Sequence, residues 1–445
     1  MTFNEFKAIV IDECAALGIA EYELYYQVGS SISVDTFQHT INEFSASQSG
    51  GVCFRCIVGG KMGYASTEDM SEAAARAVVR TASDNASVLE AEEEVFLGEG
   101  GQEYEPLNVK LYDLPTTEEL ISTVLATTEK LYAADPAVID GCQTQGIRET
   151  SEVAIFNSKG LDLSWKGQAA GLITVGVVTD GKEMSNDFQI KLGKLDEIDT
   201  DALVTKAVTG AKIKLGGDVA PTGQYPVVFD PEAMTSLLQV FSSCFSSEAA
   251  QKGLSRLAGK EGEIIASPLV TLVDDPFHPE NPEPINFDAE GSPTHCKHVI
   301  EAGKLTTLLY NLKTAAVAGK KTTGNASKAG YDASVGIRPF TMYLANGDLT
   351  VDELLAKAEG GVVITELNGL HAGANPISGD FSLQSAGFMI KDGKKADYVK
   401  SFTVAGNFYD LLKNITDIAS NLETPGMGNF GSPAVRVDGL SVAGK

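Results

Sequence analysis

At 445 residues the chain is too long for one ordinary core, so two or three domains are expected. Its 34 basic against 60 acidic side chains give a formal net charge of -26, which argues against a broad phosphate-binding surface and hence against direct nucleic-acid binding. With 43% hydrophobic and 21% charged residues it has ordinary globular composition, and no run approaches the roughly 18 apolar residues of a membrane span.

The opening MTFNEFKAIVIDEC reads as an acidic amphipathic helix over 2–17, with Phe3, Phe6, Val10, Cys14 and Leu17 on its buried face. It lacks a basic leader and a small-residue cleavage site, which predicts a cytoplasmic protein. Alternation from Tyr22 to Val28 predicts a strand, Ser30-Ser31 a turn, and Ile32 to Phe44 the returning strands. Gly50-Gly51 leads into a strand at Val52–Val58, and Gly59-Gly60-Lys61 turns into Met62–Ala65, completing an antiparallel meander. Ser66 and Asp69 suggest a capping box for a helix over 68–86. Residues 88–112, with the acidic run Glu90 to Glu94, read as a solvated connector.

A second unit opens at Leu114-Pro115-Thr116, where Thr116 and Glu119 form a capping-box pattern before a helix over 118–133. Strands are expected at 137–145, 152–156, 161–167 and 172–178, with turns at Asn157–Gly160 and Asp180-Gly181, then a helix over 201–213. Gly216-Gly217 and Pro221-Thr222-Gly223 mark a boundary. From Tyr225 the pattern changes. The short strand Val227–Phe229 runs into Asp230, an N-cap, and Pro231 at the first helical position. Met234, Leu237, Leu238, Phe241 and Phe245 recur at helical spacing, while Gln239, Ser242, Ser243 and Cys244 form the opposite edge. Short strands and turns follow, with hairpins at 301–305 and 391–394 and a helix near 351–358. The predicted class is α+β: α/β units with antiparallel sheets at 1–105 and 113–215, then a larger, mostly β unit at 222–445, a sheet or barrel with packed helices.

The six cysteines are scattered, and only Cys53 and Cys56 have a motif spacing. On a strand, residues three apart face opposite sides, so both read as core residues rather than as a metal pair. His278, His295 and His298, with Asp274, Asp275 and Cys296 nearby, offer ligands for a non-standard site; the plainer reading is a strand with its polar residues outward. The segment from His371 to Ser382 is dense in hydrogen-bonding groups. Either it holds an extended peptide by main-chain pairing, or Asn375 and Asp380 close a self-bonded turn.

Four stretches are recognisable together. Ile57 to Thr67 (IVGGKMGYAST), Asn157 to Gly160 (NSKG), Lys321 to Ala326 (KTTGNA) and Gly369 to Ser382 (GLHAGANPISGDFS) resemble, in that order, segments of the TldD/PmbA family, with the last most similar to the PmbA (TldE) branch. That family is described as candidate modulators of DNA gyrase and as zinc metalloproteases. The resemblance implies a three-part chain that dimerises, with peptides or unfolded proteins as substrate. TldD-type subunits carry an HExxxH helix and a cysteine near the C-terminus as zinc ligands; PmbA-type subunits lack them and act beside a TldD-like partner.

Laid on this pattern, the helix at 230–250 places Gln239, Val240 and Cys244 where the two His and the Glu belong. Gln is a poor zinc ligand, Val cannot activate water, and a catalytic zinc usually needs three protein ligands. No metal or other cofactor is therefore expected in this chain, and zinc is expected in a TldD-like partner. Thr323, Gly324 and Asn325, and His371, Asn375, Ser378, Gly379 and Asp380, are the candidates for peptide contact. The expected role is a PmbA/TldE-like subunit paired with a TldD-like one, a homodimer being possible alone. The alternatives are a self-sufficient hydrolase around His278–His298 and a non-enzymatic regulatory protein acting through protein contacts.

Overall fold

The computed structural model describes residues 1–90, 95–107, 109 and 111–445. Its N-terminal half is built on one six-stranded antiparallel sheet. The strands are β1 (Glu21–Phe37), β2 (Thr40–Val58), β3 (Lys61–Thr67), β4 (Gln143–Asn157), β5 (Asp162–Thr179) and β6 (Met184–Leu192), in the order β3-β2-β1-β4-β5-β6. The first two units thus share a sheet, because β1 pairs with β2 on one side and β4 on the other.

Several strands are longer than the sequence pattern predicts. Ser30-Ser31 is not a turn: Ser31 lies opposite both Ser47 and Glu149, and the Ser30 hydroxyl is 2.7 Å from that of Thr150. The chain reverses at Gln38 instead, where φ is +55°. β4 and β5 likewise extend through expected breaks, and β6 is a strand that the sequence pattern does not predict. The Asn157–Gly160 and Asp180-Gly181 turns form where predicted.

Helices α1 (Phe3–Leu17), α2 (Glu72–Val88), α3 (Thr117–Ala133) and α4 (Thr200–Ile213) cover one face of the sheet. α3 starts as predicted: the Thr116 hydroxyl accepts from the Glu119 N–H at 3.2 Å, and the Glu119 carboxylate accepts from the Thr116 N–H at 2.7 Å. α2 starts later than predicted, capped by Ser71, because Ser66 and Thr67 still pair with β2. Cys53 and Cys56 face opposite sides, Cys56 among the helices and Cys53 toward Trp165 and Phe287.

Part of the expected connector is a packed strap. Leu97 is buried, the Asn157 amide donates to the Gly98 carbonyl at 2.8 Å, and the Tyr104 hydroxyl donates to the Gly291 carbonyl at 2.8 Å. Gly98 lies against the Glu290 carbonyl with no room for a Cβ. Acidity of the segment did not prevent this, because its glycines and Leu97 make the contacts; Ala91–Glu94 lie outside the described residues.

The C-terminal half holds two mixed sheets around the largest core. The eight-stranded sheet runs Ile415–Ile418, Val435–Val437, Val227–Phe229, Val362–Asn368, Asp380–Lys391, Lys394–Asn407 and Ser441–Ala443, with Asp218–Val219 also against Lys394–Asn407. Its ends do not meet, so the sheet alternative holds and the barrel does not form. The five-stranded sheet runs Lys304–Leu305, Lys297–Glu301, Leu272–Asp274, Met342–Leu344 and Phe430–Gly431. Helix α5 (Pro231–Phe241) packs into the core between them. It ends sooner than the expected 230–250: a 3-10 turn at Ser242–Phe245 and a short helix at Ser247–Gln251 follow, the latter capped by Ser246. Among the described residues no helix is long and apolar enough to cross a membrane.

Candidate functional site

α5 is fixed at both ends. At its start, Asp230 accepts from the Ala233 N–H at 3.0 Å. Burial pushes the Asp230 carboxyl up to about 6, and burial with the nearby Asp230 and Asp187 charges pushes Glu232 up to about 7. Glu232 remains open to solvent at the edge of a cleft in which Lys214 bridges Asp187 and Glu366, each at 2.7 Å. At its end, Phe241 is fully buried and stacks on Phe408 with centroids 4.6 Å apart.

The three positions where a zinc site would fall do not converge. Gln239 is exposed, Val240 packs against the core, and Cys244 is buried in the 3-10 turn. Burial raises the Cys244 thiol pKa, and the Tyr409 hydroxyl lies beside that thiol. A neutral, enclosed thiol beside a valine and a surface amide is not a zinc donor set. Among the described residues no group of three or more His, Cys, Asp or Glu side chains is placed to hold a metal.

Tyr409, just past the end of the strand Lys394–Asn407, joins this end of α5 to the Asn375–Asp380 segment, a link with no signature along the chain. Its ring fills the space where Gly379 would carry a Cβ, and Gly379 has a φ of +82°. The segment is the self-bonded turn. The Asn375 side-chain oxygen accepts from the N–H groups of Ile377 at 3.0 Å and Ser378 at 3.2 Å. The Asn407 amide donates to the Ser378 carbonyl at 2.9 Å and to the Asp380 carboxylate at 2.8 Å. The Asn407 bond, then that of Ser378, holds the Asp380 carboxyl below its usual range. The Arg256 guanidinium lies 5.6 Å from the Tyr409 ring centroid and adds positive charge beside this turn. His371 and Asn375 are exposed on the same loop.

Thr323, Gly324 and Asn325 lie elsewhere, under the five-stranded sheet. Asn325 is 0% exposed: its amide donates to Asp274 at 2.8 Å and to the Arg338 carbonyl at 3.0 Å, and its oxygen accepts from Thr323 at 2.8 Å. Asp274 in turn pairs with Lys297 at 3.2 Å and accepts from the Phe340 N–H at 2.7 Å. Gly324, at φ +68°, has no room for a Cβ against the Pro293 carbonyl. These residues tie loops together and present little surface.

The histidine-rich region is dispersed. His298 is exposed and lies 3.4 Å from Glu301. His278 accepts from the Glu280 N–H at 3.3 Å and sits 5.0 Å from the Tyr343 ring. His295 and Cys296 are exposed, while Lys297 between the histidines turns inward to Asp274.

The three successive parts of this α+β chain match three profiles of a class of metallopeptidase-related proteins. The family profile described as PmbA/TldA metallopeptidase C-terminal domain matches residues 222–444, that of domain 1 matches 22–86, and that of the central domain matches 111–215. The chain therefore belongs to the PmbA/TldD metallopeptidase family.

It is 29% identical to the crystal structure of a candidate modulator of a DNA gyrase from Thermotoga maritima, with a TM-score of 0.91 over 99% of this chain and 100% of that one. TldE from Thermococcus kodakarensis shares the fold, with a TM-score of 0.86 and 24% identity over 98% of this chain and 100% of that one. A protein named metalloprotease from Methanothermobacter thermautotrophicus is 27% identical over 91% of each chain. Haemophilus influenzae has both a PmbA homolog, 23% identical over 97% of this chain and 94% of its own length, and a TldD homolog, 28% identical over 54% of this chain and 52% of its own.

Proposed function

We propose that this chain is a PmbA/TldE-like subunit without a zinc site of its own, supporting peptide cleavage or processing by a TldD-like partner in the cytoplasm. The observation that carries this reading is the end of α5. There Gln239 faces solvent, Val240 faces the core and Cys244 is enclosed beneath Tyr409. Peptide hydrolysis by a zinc enzyme needs a metal-bound water and a base to take its proton, and none of these three side chains supplies either.

In this reading the partner provides zinc and base, and the loop from His371 to Asp380 offers surface to a peptide or unfolded segment. The heterodimer is the working form, and a homodimer forms when the chain is produced alone. Metal analysis of the purified chain tests this. Substoichiometric zinc at every preparation is the expected result, and one tightly held zinc per chain would refute the assignment. The name of the Thermotoga relative supports a second reading, modulation of a gyrase; with a net charge of -26, such an effect would run through protein contacts rather than DNA.

A further inference from the structure

We propose that the cavity between the uncovered face of the N-terminal sheet and the C-terminal half binds an apolar carboxylate, of the kind the C-terminal residue of a peptide presents. The cavity has a volume of about 430 Å³, within the size range of small-molecule sites. Trp165 and Val153 from the sheet, and Phe287 and Phe340 from the opposite side, give it apolar walls. It lies at the end of the Thr323–Asn325 segment, which continues through Ala326 and Ser327 into Lys328 in the cavity wall.

Two cations line this space, Lys328 and Arg338. The Lys328 ammonium lies 4.5 Å from the Tyr25 ring centroid, near the Cys53 thiol. Among the described residues no carboxylate forms an ion pair with either cation. Asp288 also lines the cavity, but its oxygens are engaged by the backbone N–H groups of Glu290, Ser292 and Ala326, each at 2.9 Å. Glu283 stands exposed at the rim.

A half-buried ammonium without a counter-ion is costly, and burial lowers the Lys328 pKa accordingly. An incoming anion relieves that cost. A carboxylate also accepts bidentate bonds from a guanidinium such as Arg338 at the mouth. The aromatic walls select an anion with an apolar body over a bare one. Identifying that anion as a peptide end rests on the peptide-handling role above; the carboxylate site itself does not.

Trp165 is the chain's one tryptophan, so its fluorescence reports this cavity directly. The full-length chain alone is titrated with N-acetylphenylalanine, with N-acetylphenylalaninamide and with inorganic phosphate. The expected result is a saturable change with the acid, at least about tenfold weaker binding of the amide, and no displacement by equimolar phosphate. Lys328→Met should abolish the acid response, and Arg338→Met, which changes an exposed side chain, should weaken it severalfold. Equal response to acid and amide, displacement by phosphate, or unchanged binding in folded Arg338→Met would each overturn the proposal. No partner subunit is involved, so failure here leaves the zinc-partner reading standing, and bound zinc in this chain leaves the carboxylate site standing.

Discussion

Two glycine-rich segments that look alike in sequence end in opposite settings. Thr323-Gly324-Asn325 is buried, with both polar side-chain atoms of Asn325 matched to fixed partners. Asn375 to Asp380 is a surface turn whose bonds are mostly internal and whose neighbour His371 faces solvent. Density of Asn, Asp, Ser and Gly therefore marks a demanding backbone path in both cases, and burial decides what the path is for. The first ties loops of the C-terminal half together; the second stays at the surface.

The largest expected difference follows from that contrast. Asn325→Ala leaves the buried Asp274 carboxylate short of a donor and the Arg338 carbonyl unpaired, and should cost about 3 kcal/mol in denaturant unfolding. Gly379→Ala forces a side chain into a φ of +82° and against Tyr409, at about 2 kcal/mol. Because Tyr409 also lies against buried Cys244, the variant should speed thiol modification of Cys244, which is a measure of how tightly the turn and the end of α5 are joined.

A smaller effect comes from the other end of α5. The Asp230 carboxyl is raised to about 6 in the fold, so the native state holds its proton more tightly than the unfolded chain. That contribution is present at low pH and is lost as pH rises from about 4 through the raised value. Asp230→Asn keeps the cap and removes the ionisation. Discounted for partial exposure, it should stabilise by about 1 kcal/mol above pH 7 and by nothing below about pH 4, in thermal melts across that range. Lys395 and Glu423 are the charges that act on Asp230, and because the Asp230 charge helps raise Glu232, the substitution should also ease ionisation of Glu232, an effect of the same sign. His371→Ala should be the smallest change, within about 0.5 kcal/mol, since the ring is exposed. Any loss of peptide processing in that variant would then belong to the loop's contacts and not to folding.

The fold was legible where local chemistry is decisive. Thr116 with Glu119 starts α3, Asp230-Pro231 starts α5, and Asn157–Gly160 makes its hairpin. It was less legible where pairing overrides local preference. Ser30-Ser31 reads as a turn, yet neighbours on both sides hold it in a strand. β6, at Met184–Leu192, is largely polar and gains its place by pairing with β5. The start and buried face of α5 were legible by pattern, but not its break after Phe241 or the role of Tyr409. Lys328 and Arg338 flank a short hairpin in which Ala326 pairs with Ile337 and Ser327 with Gly336, but the sheet face they meet, at Tyr25 and Trp165, is set only when the two halves pack, which spacing along the chain does not show.

The central claim is that the missing chemistry lies in another subunit. The direct measurement is cleavage of a flexible peptide by this chain alone, by a zinc-bearing TldD-type subunit alone, and by an equimolar mixture of the two. The account predicts no turnover by this chain with or without added zinc, and cleavage in the mixture well above that of the TldD-type subunit alone. Turnover by this chain alone that is lost with a chelator and restored by zinc would contradict it.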